Sequence, residues 1–212
     1  MVQWVWEAAV RVPGVEVLVA TEDERIVGAV EGFGGRAVMT SPDCPSGTDR
    51  VAEAAKASSA EHIINLQGDE PLFAPENVAR VAEALRNGEG MATLDVPLDA
   101  ALAGDPNIVK VVKDRKGYAL YFSRSPLPYP RTPFTAYRKH LGIYGFRREV
   151  LYRFVALPPT PLEKAESLEQ LRALENGIPI FVGEAAADSV SVDTAADAIQ
   201  VETILRKGGD DR

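Results

Sequence analysis

Two acidic turns, Gln67-Gly68-Asp69-Glu70-Pro71 and Ser191-Val192-Asp193-Thr194, hold the residues best suited to chemistry in this chain. The first follows the apolar run His62-Ile63-Ile64-Asn65-Leu66, which reads as a buried strand. Asp69 then sits at that strand's C-terminal edge, where open α/β sheets bind ligands. Brought together, Asp69 and Asp193 offer oxygen ligands to a hard divalent cation such as Mg²⁺, which works alongside substrate phosphates. Each aspartate also has a plainer reading. Gly-Asp and Glu-Pro are ordinary turn formers, and an Asp ahead of an alanine-rich helix is first of all an N-cap.

Four other segments carry polar groups in suggestive places. Ser46-Gly47-Thr48-Asp49-Arg50 sets a glycine and two hydroxyls before a helix, able to offer backbone N–H groups to an anion or a base edge, or simply to cap the helix. Arg50, one turn in, can stack on a base or face solvent. Arg124 closes a candidate strand and can clamp a carboxylate or phosphate at two points, or make a surface ion pair. His140, one of two histidines, can be a satisfied structural residue, but Tyr144 four residues on shares its strand face. Glu169 and Gln170 sit on a patterned helix whose Leu168 and Leu171 face the core, and they can equally be its solvated side.

The elements that must position these groups follow from periodicity. Helices are expected over Met1 to Arg11, Asp23 to Val30, Asp49 to Ala57, Pro75 to Leu85, Pro161 to Glu175 and Thr194 to Lys207. Strands are expected over Val15 to Ala20, Ala37 to Thr40, Ile63 to Leu66 and Ile180 to Val182. This alternation predicts a parallel α/β sheet. The middle differs: Met91 to Val96, Ile108 to Lys113, Tyr118 to Ser123 and Arg138 to Phe146 read as a meander, a β-rich lobe over roughly residues 95–146 of a single domain spanning 1–212.

Composition narrows the function classes. With 212 residues and 46% apolar content the chain can bury a sizeable core, and a net charge of −8 argues against a nucleic-acid partner. A lone cysteine, Cys44, excludes an internal disulfide framework and suits a reducing cytoplasm. No apolar run reaches membrane-spanning length, so no membrane partner is expected.

Read together, Ser46 to Arg50, Asn65 to Pro71, Asp105 to Val112, Tyr118 to Arg124, His140 to Gly145, Pro161 to Glu163, Leu168 to Arg172 and Val192 to Thr194 closely resemble the 3-deoxy-manno-octulosonate cytidylyltransferases. The resemblance implies a Rossmann-like, GT-A-like nucleotidyltransferase fold, a three-layer αβα sandwich with a β-rich inserted lobe. It implies transfer of a cytidylyl group from CTP to the sugar acid Kdo, with Mg²⁺ on Asp69 and Asp193. It also implies cytidine against Ser46, Gly47, Thr48 and Arg50, Gln67 at the junction of the two ligands, and Kdo against Arg124, His140, Tyr144, Glu169 and Gln170. A homodimer formed through the β-rich lobe is implied as well. The family usually opens with a strand and a basic triphosphate loop ahead of the first helix seen here, so both are expected to be absent from this chain. Ser191 and Ala195 stand where glycine and proline are common around the second aspartate. Two rival functions remain at this point: a cytidylyltransferase for another acidic sugar such as sialic acid, or a binder without catalysis.

Overall fold

The computed structural model describes residues 1–189, 191, 192, 194, 197–199 and 201–204. In chain order the elements are α1 (Val2–Ala9), β1 (Val19–Thr21), α2 (Glu24–Gly32), β2 (Ala37–Met39), α3 (Gly47–Ala54), β3 (His62–Asn65), α4 (Pro75–Arg86), β4 (Met91–Pro97), β5 (Lys110–Lys113), β6 (Ala119–Ser123), β7 (Arg138–Arg147), α5 (Arg148–Val155), α6 (Pro161–Glu166), α7 (Gln170–Glu175) and β8 (Phe181–Glu184).

The main sheet has six strands in the order β6-β5-β7-β4-β8, with β3 also paired to β7. Ten residues long, β7 pairs with β4 along one edge, while β3 and β5 share the other. Its direction corrects the expectation of a parallel sheet: β7 runs antiparallel to β3, β4 and β5, whereas β4 and β8 are parallel. The expected β-rich lobe is therefore continuous with the core sheet through β7. A two-stranded parallel ribbon, β1-β2, is hydrogen-bonded separately.

Helices cover both faces. On one, α1 and α4 pack Val5, Ala9, Val78, Val81 and Leu85 against Ala92, Leu94, Leu141 and Ile143. On the other, α3, α5 and α7 bring Ala52, Leu151, Phe154 and Leu171 against Met91, Phe122 and Phe146. The spacing of Val78, Val81 and Leu85 is that of one helical face, and Pro75 in the first turn starts α4 where a missing N–H costs nothing.

Two helix expectations need correction. Residues 161–175 form two helices rather than one, because Ser167 takes a left-handed conformation with φ 51° and turns the chain between α6 and α7. Helix α5 was hidden by its position directly after β7, with no loop between them. At the other end of the chain, residues 197–199 and 201–204 are helical, within the expected terminal helix.

Candidate active site

Several of the segments singled out in the sequence gather near the end of β3 and the middle of β7. Ser46 N-caps α3, its hydroxyl accepting from the Asp49 N–H, and lies 2.6 Å from both Glu169 Oε1 and Asp49 Oδ2. Thr48 Oγ1 donates to Glu169 Oε2 at 2.5 Å. One carboxylate at the start of α7 thus collects hydroxyls from the first turn of α3, across more than a hundred residues of sequence. The kink at Ser167 is what aims it there: a straight 161–175 helix would carry Glu169 along the α6 axis. A non-glycine residue in the left-handed region costs roughly 1 kcal/mol, and such strain persists where surrounding contacts hold it. Behind Glu169, Arg172 pairs with Glu163 at 2.5 Å and reaches Glu169 at 3.5 Å.

His140 and Tyr144 share a face, as their even spacing predicts, but lie closer together than a regular strand allows. Four residues along a regular strand span about 13 Å, yet the two rings lie 5.3 Å apart. The register supplies the explanation: Leu94 pairs with Leu141 and Thr93 with Tyr144, so Gly142 and Ile143 bulge out of the ladder. Measured on β4, His140 opposite Asp95 and Tyr144 opposite Thr93 are only two residues apart. Gly142 suits the bulge because a Cβ there would meet Glu70 Oε1 at 3.0 Å.

His140 is 8% exposed, edge-on to Phe122 at 4.9 Å, with Nε2 2.9 Å from Thr93 Oγ1. Burial pushes its pKa down to about 3, so the imidazole is neutral. Burial, aided by the nearby Glu169 charge, holds the Tyr144 hydroxyl well above the usual phenol range. Gln170 is buried beside Glu169 in the first turn of α7.

Asp69 follows β3 as expected and is half-buried. Its carbonyl accepts the Val192 N–H at 2.9 Å, which brings Val192 to this edge. Asp193 itself lies outside the described residues. The neighbouring Glu70 turns its carboxylate to Ser189 Oγ, and burial raises its pKa. Gln67, Glu70, Gly142 and Ser189 line a narrow cleft beside Asp69. For Mg²⁺ the donor chemistry fits, since the ion commonly takes one or two carboxylates and fills its shell with water and phosphate. Among the described residues no group of three potential metal ligands occurs.

Two arginines are tied into the fold. Arg50 bonds Thr40 Oγ1 at 2.7 Å and Glu22 at 2.6 Å, anchoring α3 to the β1-β2 ribbon. The Arg124 guanidinium donates to the carbonyls of Glu166, Pro106 and Ser167. The main chain beneath it is held by Lys110, fully buried, whose ammonium is caged by the carbonyls of Asp105, Ile108 and Arg124. Lys110 and Thr93 escape sequence reasoning. The only hint is a lysine and a threonine set within otherwise apolar strand runs.

A mixed sheet with helices on both faces, and polar groups gathered where β3 ends, defines a nucleotidyltransferase-type fold. The 4-diphosphocytidyl-2C-methyl-D-erythritol synthase of Anaerococcus prevotii shares that fold at 15% identity and TM-score 0.61, covering 97% of this chain and 85% of its own. The cytidylyltransferase family model matches residues 1–181. The 3-deoxy-manno-octulosonate cytidylyltransferase of Myxococcus xanthus is 49% identical over 99% of this chain and 87% of its own length. The Escherichia coli enzyme of the same name is 47% identical over 97% and 85%. A solved CMP:2-keto-3-deoxy-manno-octonic acid synthetase in complex with CTP superposes at TM-score 0.94, with 45% identity over 98% of this chain and 88% of that one. The chain belongs to the 3-deoxy-manno-octulosonate cytidylyltransferase family.

Proposed function

We propose that this protein transfers the cytidylyl group of CTP to Kdo, releasing pyrophosphate and giving CMP-Kdo for lipopolysaccharide assembly. The observation that carries this reading is the hydrogen bonding of Ser46 and Thr48, on the nucleotide side, to Glu169, on the sugar side. Two substrates held on the two sides of that contact would lie next to each other. Positioning supplies much of the rate in such a reaction.

The Kdo anomeric oxygen attacks the α-phosphorus of CTP, a P–O bond forms, and the bond to pyrophosphate breaks on the far side. No protein nucleophile is required, because phosphoryl transfer is driven mainly by alignment and charge neutralisation. The first turn of α3 offers the backbone N–H groups of Gly47 and Thr48 to the cytidine, and the Ser46 and Thr48 hydroxyls, their protons directed at Glu169, can add lone pairs as acceptors. Three of the five Arg124 N–H groups go to carbonyls, which leaves donors and a full positive charge for the Kdo carboxylate. His140, Tyr144, Glu169 and Gln170 supply acceptors and donors for its hydroxyls. Asp69 and Asp193 are the residues that would hold Mg²⁺, which when bound neutralises triphosphate charge and lowers the pKa of an attacking hydroxyl.

A homodimer through the β-rich lobe is part of the same reading, supported by exposed apolar side chains there: Leu120 is 62% and Tyr129 84% exposed. A cytoplasmic site of action is supported by the single free cysteine. Among the described residues no helix is long and apolar enough to cross a membrane.

Pyrophosphate release tests the function. It should require CTP, Kdo and Mg²⁺ together. Release with sialic acid in place of Kdo, or none with Kdo, would refute the assignment.

A further inference from the structure

The bulge in β7 leaves Gly142 and Ile143 without partners on β4, while Leu141 stays paired with Leu94. Thr93, fully buried, turns its hydroxyl into the gap: Oγ1 lies 2.7 Å from Ile143 O, 3.2 Å from Leu141 O and 2.9 Å from His140 Nε2. A hydroxyl has one proton to give and lone pairs to receive with. Were that proton given to His140 Nε2, the oxygen would face the Ile143 carbonyl at 2.7 Å with no hydrogen between them, a buried repulsion with nothing to offset it. Given to Ile143 O, the proton satisfies the freed carbonyl, and the Thr93 lone pair receives Nε2–H. Only the second arrangement pairs Thr93 Oγ1, His140 Nε2 and Ile143 O together.

We infer that Thr93 is a positioning residue that fixes His140 as its Nε2–H tautomer and so presents Nδ1 as a hydrogen-bond acceptor to a hydroxyl of the sugar acid. This rests on His140 facing Kdo, as proposed above. Among the described residues no hydrogen bond reaches Nδ1. A 180° flip of the ring would keep its contacts with Phe122 and Tyr144 but set Cε1 in place of Nε2 against Thr93, so the Thr93 hydrogen bond is what selects the orientation. The consequence is specificity: a site with a fixed acceptor selects a substrate that donates there and rejects an analogue lacking that hydroxyl.

The chain has two histidines, which makes the test direct. In ¹⁵N-labelled protein, with His62→Gln used to assign the signals, His140 should show a directly protonated Nε2 and a pyridine-type Nδ1. Adding Kdo should move the Nδ1 resonance. Thr93→Val should abolish the single-tautomer signature and raise KM for Kdo about tenfold, the scale of one misplaced buried hydrogen-bond partner, with KM for CTP unchanged. Thr93→Ser should restore both. A protonated Nδ1 in the unaltered protein, or a Thr93→Val variant that keeps tautomer and KM, would overturn the inference, and the first of these needs no variant to fold. An Nδ1 signal that ignores Kdo would overturn the contact with the sugar acid while the tautomer measurement still stands by itself.

Discussion

Acid should destabilise this protein through His140 in a way that can be isolated. The imidazole is buried against Phe122 and Tyr144, and its pKa falls from 6.5 to about 3 because burial penalises the cation. The unfolded chain therefore takes up the proton first. The stabilisation is complete above about pH 6.5 and is lost as pH drops toward 3. At about 1.4 kcal/mol per unit, two units of descent to about pH 4.5 cost roughly 2–3 kcal/mol. Carboxylates titrate over part of this range too, so the quantity to measure is a difference. Urea unfolding of the native sequence and of His140→Phe across this range should give stability curves that converge or cross by about that amount as pH falls, since phenylalanine has no proton to accept. Parallel curves would refute the reasoning, for they would mean His140 charges in the folded state at no cost.

Asp69→Asn should lower kcat about a hundredfold or more, the scale of losing one charge-stabilising group at a phosphoryl centre, while urea stability stays within about 0.5 kcal/mol because the side chain is only half-buried. Gly145→Ala should cost about 1–3 kcal/mol or more, since its Cβ would collide with Val81 and meet Leu85 Cδ1 at 3.0 Å. A variant as stable as the parent would show that α4 can shift away from β7. Glu163→Gln should destabilise by about 1–3 kcal/mol in chemical denaturation, because it leaves the Arg172 charge, whose side chain is only 7% exposed, with the more distant Glu169 carboxylate as its counter-ion. A loss under 1 kcal/mol would show that water reaches that arginine.

What could be read from the sequence was whatever depends on local pattern. Val78, Val81 and Leu85 announce α4, and the runs at Met91 and Ile180 announce buried strands within a residue or two of their observed ends. Direction was not legible, because β7 pairs antiparallel with strands that precede it by tens of residues and nothing in its own apolar run encodes that choice. The break at Ser167 was hidden for a related reason. Leu168 and Leu171 continue the helical spacing of 161–175, and only the long-range attachment of Glu169 to Ser46 and Thr48 accounts for the turn. The i, i+4 spacing places His140 and Tyr144 on one face, but a flat strand would have held them about 13 Å apart. The two-residue bulge at Gly142 and Ile143 is what brings them together. Thr93 could not be found from sequence, since its significance lies in the carbonyl of Ile143, a residue that the bulge takes out of the ladder.

The most direct test of cytidylyl transfer follows the phosphorus. With CTP labelled at the α- or the γ-phosphate, and Kdo and Mg²⁺ present, only α-label should enter the sugar product and all γ-label should leave as pyrophosphate. Label reaching the sugar from the γ-position, or remaining in CTP in both cases, would contradict the account.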